Sequence, residues 1–176
     1  MPYETEGEEL DVNFSSPANA GIVRYLEARA RWPRAVSVAR AGASTSPGSL
    51  VNPYYDLGTH PELVERLWDE LTVRLPARCR WIVYGTPVLV RPSSGISFAF
   101  AGGTHTYALR LPQQEREEAL RAGATRFHEY PAYPELDIEA SSLDLDDIGE
   151  EWVFGGWFEG EEDWCLAAYR FAQEPA

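Results

Sequence analysis

The chain has 176 residues, a hydrophobic content of 44% and a formal net charge of −13. This length fits one domain with a substantial core, and no apolar run approaches the ~18 residues that span a bilayer. The acidity argues against nucleic acid as a partner, because phosphate contacts need a basic face. The polar, acidic start lacks the features of a signal peptide, so we predict a cytoplasmic protein that does not bind membranes.

Charge is distributed unevenly along the chain. Residues 129–163 contain thirteen acids and no basic residue, whereas residues 12–128 contain fourteen arginines and nine acids. Residues 129–163 are referred to below as the acidic segment. Such a segment predicts either a basic protein partner or neutralisation by the arginine-rich part of the same chain.

In chain order, the first predicted element is a helix that follows an acidic N-terminal segment. Ser16 is a good N-cap and Pro17 suits the first helical position, so a helix is predicted from there to about residue 31. Residues 35–39 are a candidate short strand. Residues 41–53 are rich in Gly, Ser, Pro and Asn, which predicts a loop.

The second predicted helix has the clearest pattern. Thr59 and Glu62 have the spacing of a capping box, and Pro61 fits the first turn. Apolar residues recur on one face at helical period, namely Leu63, Val64, Leu67, Trp68 and Leu71. The helix that ends at Leu75-Pro76 before a strand is similar to the opening of some bacterial immunity proteins. That resemblance covers about a tenth of the chain and implies no site residues.

Residues 80–111 predict an antiparallel meander of four strands. The first two strands are expected at residues 80–84 and 87–91. In the third, Ile96, Phe98 and Phe100 alternate with small residues, which is typical of a half-buried strand with one apolar face. Gly102-Gly103 predicts a two-residue hairpin turn, after which the fourth strand returns through Tyr107, Leu109 and Leu111.

The C-terminal third adds two helices and a further strand. A helix is predicted from Gln113 to Ala122 and ends at Gly123, a natural C′ residue. Residues 136–140 are a candidate edge strand, and residues 152–159 a strand with a kink at its glycines. The last helix is predicted to begin at the acids Glu161, Glu162 and Asp163, which suit the positive end of a helix dipole.

This order of elements predicts an α+β fold. We expect residues 1–15 to be a flexible acidic N-terminus and residues 16–176 to form a single domain. Its mainly antiparallel sheet would consist of the meander over about 80–111 plus a C-terminal strand, with about four helices packed on one face.

No sequence motif predicts a catalytic, cofactor or metal site. The Asp144–Gly155 run matches a calcium loop at its first positions, but Ile148 and Gly155 fail at the fifth and twelfth. We therefore predict no metal and no cofactor. Cys79 and Cys165 are interpreted as buried thiols rather than as a disulfide.

The leading functional hypothesis rests on residues 150–164, which combine three tryptophans with dense negative charge. Tryptophan is favoured as a binding anchor, and acids speed the approach of a basic partner. We expect a protein-binding module, in concrete form an immunity or inhibitor protein that blocks a basic toxin or nuclease. The predicted partner-binding residues are Asp146, Asp147, Trp152, Trp157, Glu159, Glu161, Glu162 and Asp163. In the opposing interpretation, the aromatic residues face the core and the acids face water.

Two alternatives belong to other functional classes. The chain would be an enzyme if His105, His128, Glu129 and Cys79 converged in a cleft. It would be a structural subunit if the basic middle of one copy met the acidic segment of another. The sequence does not set the oligomeric state.

Overall fold

The computed structural model describes residues 12–29, 38–40, 60–83, 86–102, 106–126, 148–155 and 158–173. Within these residues, seven strands form one antiparallel sheet. The sheet order is β1-β2-β3-β4-β5-β7-β6. The strands are β1 (Val38–Arg40), β2 (Arg80–Val83), β3 (Thr86–Val90), β4 (Ser97–Gly102), β5 (Thr106–Arg110), β6 (Thr125–Arg126) and β7 (Trp152–Gly155). The predicted α+β class, the meander from β2 to β5 and the C-terminal strand are confirmed.

Four α-helices accompany the sheet in these described ranges. They are α1 (Pro17–Arg29), α2 (Pro61–Glu65), α3 (Gln113–Ala122) and α4 (Glu161–Phe171). α2 continues directly as a π-helix, Arg66–Glu70, and a 3₁₀ turn, Ala77–Cys79, leads into β2. Among these helices, none has the length and apolar character needed to cross a membrane.

Local signals placed the helix ends well. The Ser16 hydroxyl accepts the N–H of Ala18 at 3.3 Å, and Pro17 is the first residue of α1. α3 ends at Gly123, whose φ of +114° is the left-handed C′ conformation that glycine adopts without strain. The N-cap of α2 is His60, whose Nδ1 accepts the N–H of Glu62 at 3.2 Å. The predicted cap, Thr59, lies outside the described residues.

Both faces of the sheet are buried, which differs from the prediction that helices cover one face. Rows of paired residues alternate between the faces. The row on one face is Val88, Phe100, Ala108 and Phe154, and the next row, on the opposite face, is Leu89, Ala99, Leu109 and Val153. The first row packs against α1, and the second against α2, α3 and α4. Because both rows are apolar, both faces need a cover.

A β-bulge at Phe98 explains why the alternation of residues in β4 gave a wrong prediction of the faces on which they lie. Leu89 pairs with Ala99 and Val90 pairs with Ser97, so Phe98 has no residue opposite it. The extra residue shifts the phase of the strand. Phe98 consequently packs on the α4 side of the sheet and Phe100 on the α1 side, so the expectation that they share a face is wrong.

The turn after β4 also differs from its prediction. Gly102 is the last residue of β4 and pairs with Thr106, so residues 103–105 make the connection. A two-residue turn at Gly102-Gly103 is therefore wrong. The connecting residues themselves lie outside the described part of the chain.

The packed structure already includes the end of the N-terminal segment. Val12 is 5% exposed and belongs to the core on the α1 side. The N–H of Asn13 donates to Gly95 O at 2.9 Å. The fully buried side chain of Asn19 donates to Gly95 O and accepts the N–H of Ser97, both at 2.8 Å. These bonds fix α1 to the start of β4. Residues 1–11, 41–53 and 136–140 lie outside the described part.

Candidate functional site at the start of helix α4

Glu161, the first residue of α4, is a buried carboxylate with two kinds of partner. Its side chain is 1% exposed. Oε2 accepts a hydrogen bond from Arg66 Nη2 at 2.9 Å, and Oε1 accepts the N–H of Phe158 at 2.6 Å. A buried carboxylate without partners would cost several kcal/mol. These bonds therefore make the burial of Glu161 tolerable, and they join the start of α4 to the π-helix that follows α2.

Arg66 is the cation at the centre of this arrangement. Its Nη1 contacts Glu70 Oε2 at 2.8 Å and Glu162 Oε1 at 4.0 Å, in addition to the bond from Nη2 to Glu161. Burial alone would lower the pKa of its guanidinium, but the hydrogen bonds to Glu70 and Glu161 outweigh burial and raise the pKa above its usual value. Arg66 therefore carries its positive charge at neutral pH.

The π-helix positions Arg66. The N–H of Leu71 donates to Arg66 O at 2.9 Å, a bond across five residues instead of four. Short π-helical turns are rare and occur frequently at functional sites. The Trp68 indole donates to Val88 O at 3.3 Å, which fixes this turn to the sheet. The turn thus holds the guanidinium at the start of α4.

Two more ion pairs extend the network. Arg74 Nη2 lies 2.5 Å from Asp163 Oδ1, and Arg80 Nη1 lies 3.2 Å from Asp69 Oδ1. Neighbouring acids Glu62, Glu65 and Glu159 are exposed. We name the whole set the acidic junction. It consists of eight acids and three arginines, namely Glu62, Glu65, Asp69, Glu70, Glu159, Glu161, Glu162, Asp163, Arg66, Arg74 and Arg80.

A narrow recess lies directly beneath this junction. It is lined by apolar residues of β5, β7 and α3, by Ala124 and by Tyr107, Phe158, Glu161 and Trp164. The rings of Phe158 and Trp164 stand at 62° to each other with centroids 6.2 Å apart. A Cβ at Gly155 would overlap the Phe158 ring, so glycine is needed there for the ring to lie against β7. The recess therefore combines three aromatic rings with one carboxylate.

The hydroxyl of Tyr107 is an unusual buried group on the same side of the sheet. Tyr107 is 3% exposed, and its Oη has no hydrogen-bond partner in the structure as described. Buried hydroxyls are normally paired, because leaving one unpaired costs about 1–3 kcal/mol.

The predicted partner-binding residues fall into three groups. Glu159, Glu162 and Asp163 lie at the surface of the acidic junction, with side chains of Glu162 and Asp163 exposed by 44% and 77%. Trp152 is 1% exposed and packs on Phe100 with ring centroids 5.3 Å apart, and Glu161 is equally buried. Neither of these two presents surface to a partner. Asp146, Asp147 and Trp157 lie outside the described residues.

The thiols do not form a reactive site. Cys79 and Cys165 are free and buried, as interpreted from the sequence. Burial raises the pKa of the Cys165 thiol strongly, and the nearby Cys79 and Glu161 raise it further. A thiol that keeps its proton is a poor nucleophile. Cys79 is 0% exposed, and the other residues of the enzyme hypothesis, His105, His128 and Glu129, lie outside the described part.

Metal binding has no candidate in the described ranges. No group of three or more His, Cys, Asp or Glu side chains there is placed to hold an ion. His60 is exposed at the start of α2, where it serves as the N-cap. The calcium-like run around Asp144 and Asp146 lies outside these ranges.

No protein-family model, curated protein or solved structure matches this chain. Its functional assignment therefore rests on the chemistry of the acidic junction and the recess. Sequence reasoning missed the two residues that organise these features, Arg66 and Tyr107. Arg66 had a weak signal in its helical spacing to Glu62 and Glu70, and Tyr107 had none beyond its place in an alternating strand.

Proposed function

We propose that this chain is a binding module that takes a basic protein partner at the acidic junction. The concrete form is an immunity or inhibitor protein that blocks a basic toxin or nuclease. One observation carries the proposal: after its three arginines are counted against its eight acids, the junction keeps an excess of five negative charges. A folded surface with such an excess attracts a cationic partner.

The excess negative charge of the junction lies at the surface, where a partner would contact it. Two of the three arginines are largely covered, with side-chain exposures of 13% for Arg66 and 29% for Arg80, whereas Arg74 is exposed by 44% and the one buried acid is Glu161. Their carboxylate neighbours Glu70 and Glu162 are exposed by 47% and 44%. The outer layer of the junction is therefore more acidic than the charge count alone indicates. Exposed carboxylates of this kind accelerate association within a Debye length of about 8 Å at physiological salt.

Ion pairs link the two helical segments that form this surface. Arg66 joins the π-helix to the first turn of α4, and Arg74 adds a second link through Asp163. A surface that is ordered before binding loses less conformational entropy on association. An ordered surface of this kind favours specific binding of one partner over nonspecific attraction of cations.

The test is affinity capture from the native cell at low salt, with three baits. The first is the wild-type protein, and the second is the junction variant Glu159→Lys/Glu162→Lys. The third is a control with the same charge change on α3, Glu117→Lys/Glu118→Lys. We expect the wild type and the control to retain the same basic protein and the junction variant to lose most of it. Equal capture by all three baits would contradict the proposal, as would the absence of any basic protein among the captured species.

A further inference from the structure

We infer that Val73 is the apolar contact of the partner-binding surface, and that the partner presents an apolar side chain flanked by basic residues. This inference rests on the proposed function, since it names the chemistry of the partner that the acidic junction takes. Val73 lies in the turn that follows the π-helix and is 73% exposed. In the described ranges, only Phe14, at 45%, is another exposed large apolar side chain.

A single exposed apolar side chain is common on protein surfaces and by itself indicates no partner. Val73 differs in its setting, because the residues on both sides of it are anchored. Leu71 and Thr72 are 1% and 4% exposed, and the Thr72 hydroxyl donates to Trp68 O. On the other side, Leu75 packs against the core and its N–H donates to Thr72 O at 2.9 Å. Turning Val73 inward would break these contacts, so its methyl groups stay in water in the free protein.

Val73 also loses little conformational freedom when a partner covers it. Its branched Cβ restricts χ1, and the anchored backbone leaves few conformations to lose. The longer side chains of Glu70 and Arg74 beside it lose more entropy when they are immobilised. Covering the methyl groups of Val73 removes apolar surface from water, which is the main favourable term in most protein association. Val73 is therefore suited to short-range contact, and the acids are suited to attraction at a distance.

Acids of the junction border Val73 on two sides. Asp69 and Glu70 precede it by four and three positions, a spacing that brings side chains together on one helical turn, and they are exposed by 40% and 47%. Arg74, the next residue, lies 2.5 Å from Asp163 Oδ1, whose side chain is exposed by 77%. The surface thus has an apolar centre within a junction whose charge excess is negative. The complementary surface has an apolar centre and a basic rim.

Net charge decides between a basic partner and a second copy of this chain. Each copy carries −13, so two copies repel each other. A two-fold interface centred on Val73 would also bring the same acids of both copies together, because such an interface uses one patch twice. The occupant that fits the patch is therefore a different, basic protein.

The experiment titrates the full chain with two end-blocked hexapeptides and follows the binding by NMR. Each peptide has two lysines at either end, and the central pair is leucine in one peptide and serine in the other, so their charges are equal. We expect both to shift the amides of Asp69 and Asp163, and only the leucine peptide to shift the Val73 methyl groups. The leucine peptide should bind about fivefold more tightly, since covering the methyl groups of one valine is worth roughly that factor.

Val73→Glu separates apolar contact from charge, because the two effects have opposite signs. The added carboxylate attracts both peptides, so the serine peptide should bind at least as tightly as it binds the wild type. The leucine peptide should lose its preference of about fivefold, because the apolar contact is gone. Phe14→Glu is the matched control: it makes the same change of charge at the other exposed apolar side chain and should keep the preference. Circular dichroism checks that both variants fold.

Three results would overturn the inference: equal affinities of the two peptides for the wild type, a preference that persists in Val73→Glu, or the absence of saturable shifts with either peptide. The two proposals fail separately. If the leucine peptide is preferred through Val73 and affinity capture yields no basic protein, the apolar contact stands and the partner proposal fails. If capture depends on the junction acids and the peptides are not distinguished, the partner binds through charge alone.

Discussion

At the scale of single residues, Glu161 forms a buried ion pair that its sequence context did not indicate. It is the first of three consecutive acids, Glu161, Glu162 and Asp163, and all three were expected to face a partner. Its two oxygens instead accept bonds from Arg66, which lies 95 positions earlier, and from the Phe158 backbone. A long-range pair of this kind has no signal in local spacing. The buried member of the acidic run could therefore not be told from its exposed neighbours Glu162 and Asp163.

The Arg66–Glu161 pair should couple far more strongly than the exposed Arg74–Asp163 pair. A double-mutant cycle with Arg66→Met and Glu161→Gln is expected to give a coupling of about 1.5–3 kcal/mol in the free energy of unfolding, because Glu161 is buried. The matched cycle with Arg74→Met and Asp163→Asn should give less than about 1 kcal/mol, because both side chains reach solvent. Urea unfolding measures both, and equal couplings would contradict the described burial.

The Cys165 thiol should make stability depend on pH in mildly alkaline solution. Burial raises its pKa in the folded state above the ordinary value of 9.0. Above that value the unfolded chain releases the thiol proton while the folded chain keeps it. The unfolded state then binds fewer protons, so the free energy of unfolding falls as pH rises, with a limiting slope of about 1.4 kcal/mol per pH unit.

Urea unfolding of Cys165→Ala between about pH 8 and pH 10 isolates this effect. The variant is expected to be less stable than the wild type at the lower pH, because it leaves a small cavity. Its stability should nevertheless fall less steeply with rising pH. Parallel curves for the two proteins would show that Cys165 does not carry the dependence.

At the scale of elements, sequence signals succeeded where structure is decided locally. The first residue of α1, the end of α3 at Gly123 and the start of α4 follow from caps, a glycine and a cluster of acids. The same reasoning failed at Phe98, because a bulge depends on pairing with β3 and has no local marker. It also failed to place α1 on the far side of the sheet, since the packing of a helix depends on both sheet faces at once.

Gly123 provides a test at this scale. Its φ of +114° and its role at the end of α3 predict that Gly123→Ala destabilises the protein by about 1–2 kcal/mol. A Cβ there would lie 3.5 Å from Phe158 Cε1, an ordinary contact, so backbone strain rather than a clash is the cause. Gly123→Asn should cost less, because asparagine tolerates the left-handed region. Thermal unfolding compares the two, and equal costs would point to steric crowding instead.

At the scale of the whole molecule, the sequence shows the uneven charge of the chain. It does not show which of these charges are neutralised by ion pairs within the chain. The structure shows that part of the acidic segment is neutralised internally, through Arg66 and Arg74. It also shows that the aromatic residue Trp152 belongs to the core. The exposed acidic surface is smaller than the sequence suggested, and it includes acids such as Glu70 of the π-helix that lie outside the acidic segment.

Internal neutralisation bears on the structural-subunit alternative. The arginines nearest to the start of α4 already bond carboxylates of the same chain. We therefore expect the molar mass from light scattering to stay constant between about 0.05 M and 0.5 M salt, a range over which exposed charges become screened. A mass that falls as salt is added would indicate that acidic and basic surfaces of different copies meet.

The most direct test of the acidic junction as a binding surface is the association rate with the basic partner retained by affinity capture. Surface plasmon resonance would compare the wild type with Glu159→Lys/Glu162→Lys and Glu117→Lys/Glu118→Lys over a salt series. We predict that the junction variant associates about tenfold more slowly at low salt and loses most of its salt dependence, while the α3 control, with the same net charge, stays close to the wild type. Equal slowing of both variants would mean that only net charge matters, and unchanged rates in the junction variant would contradict the account.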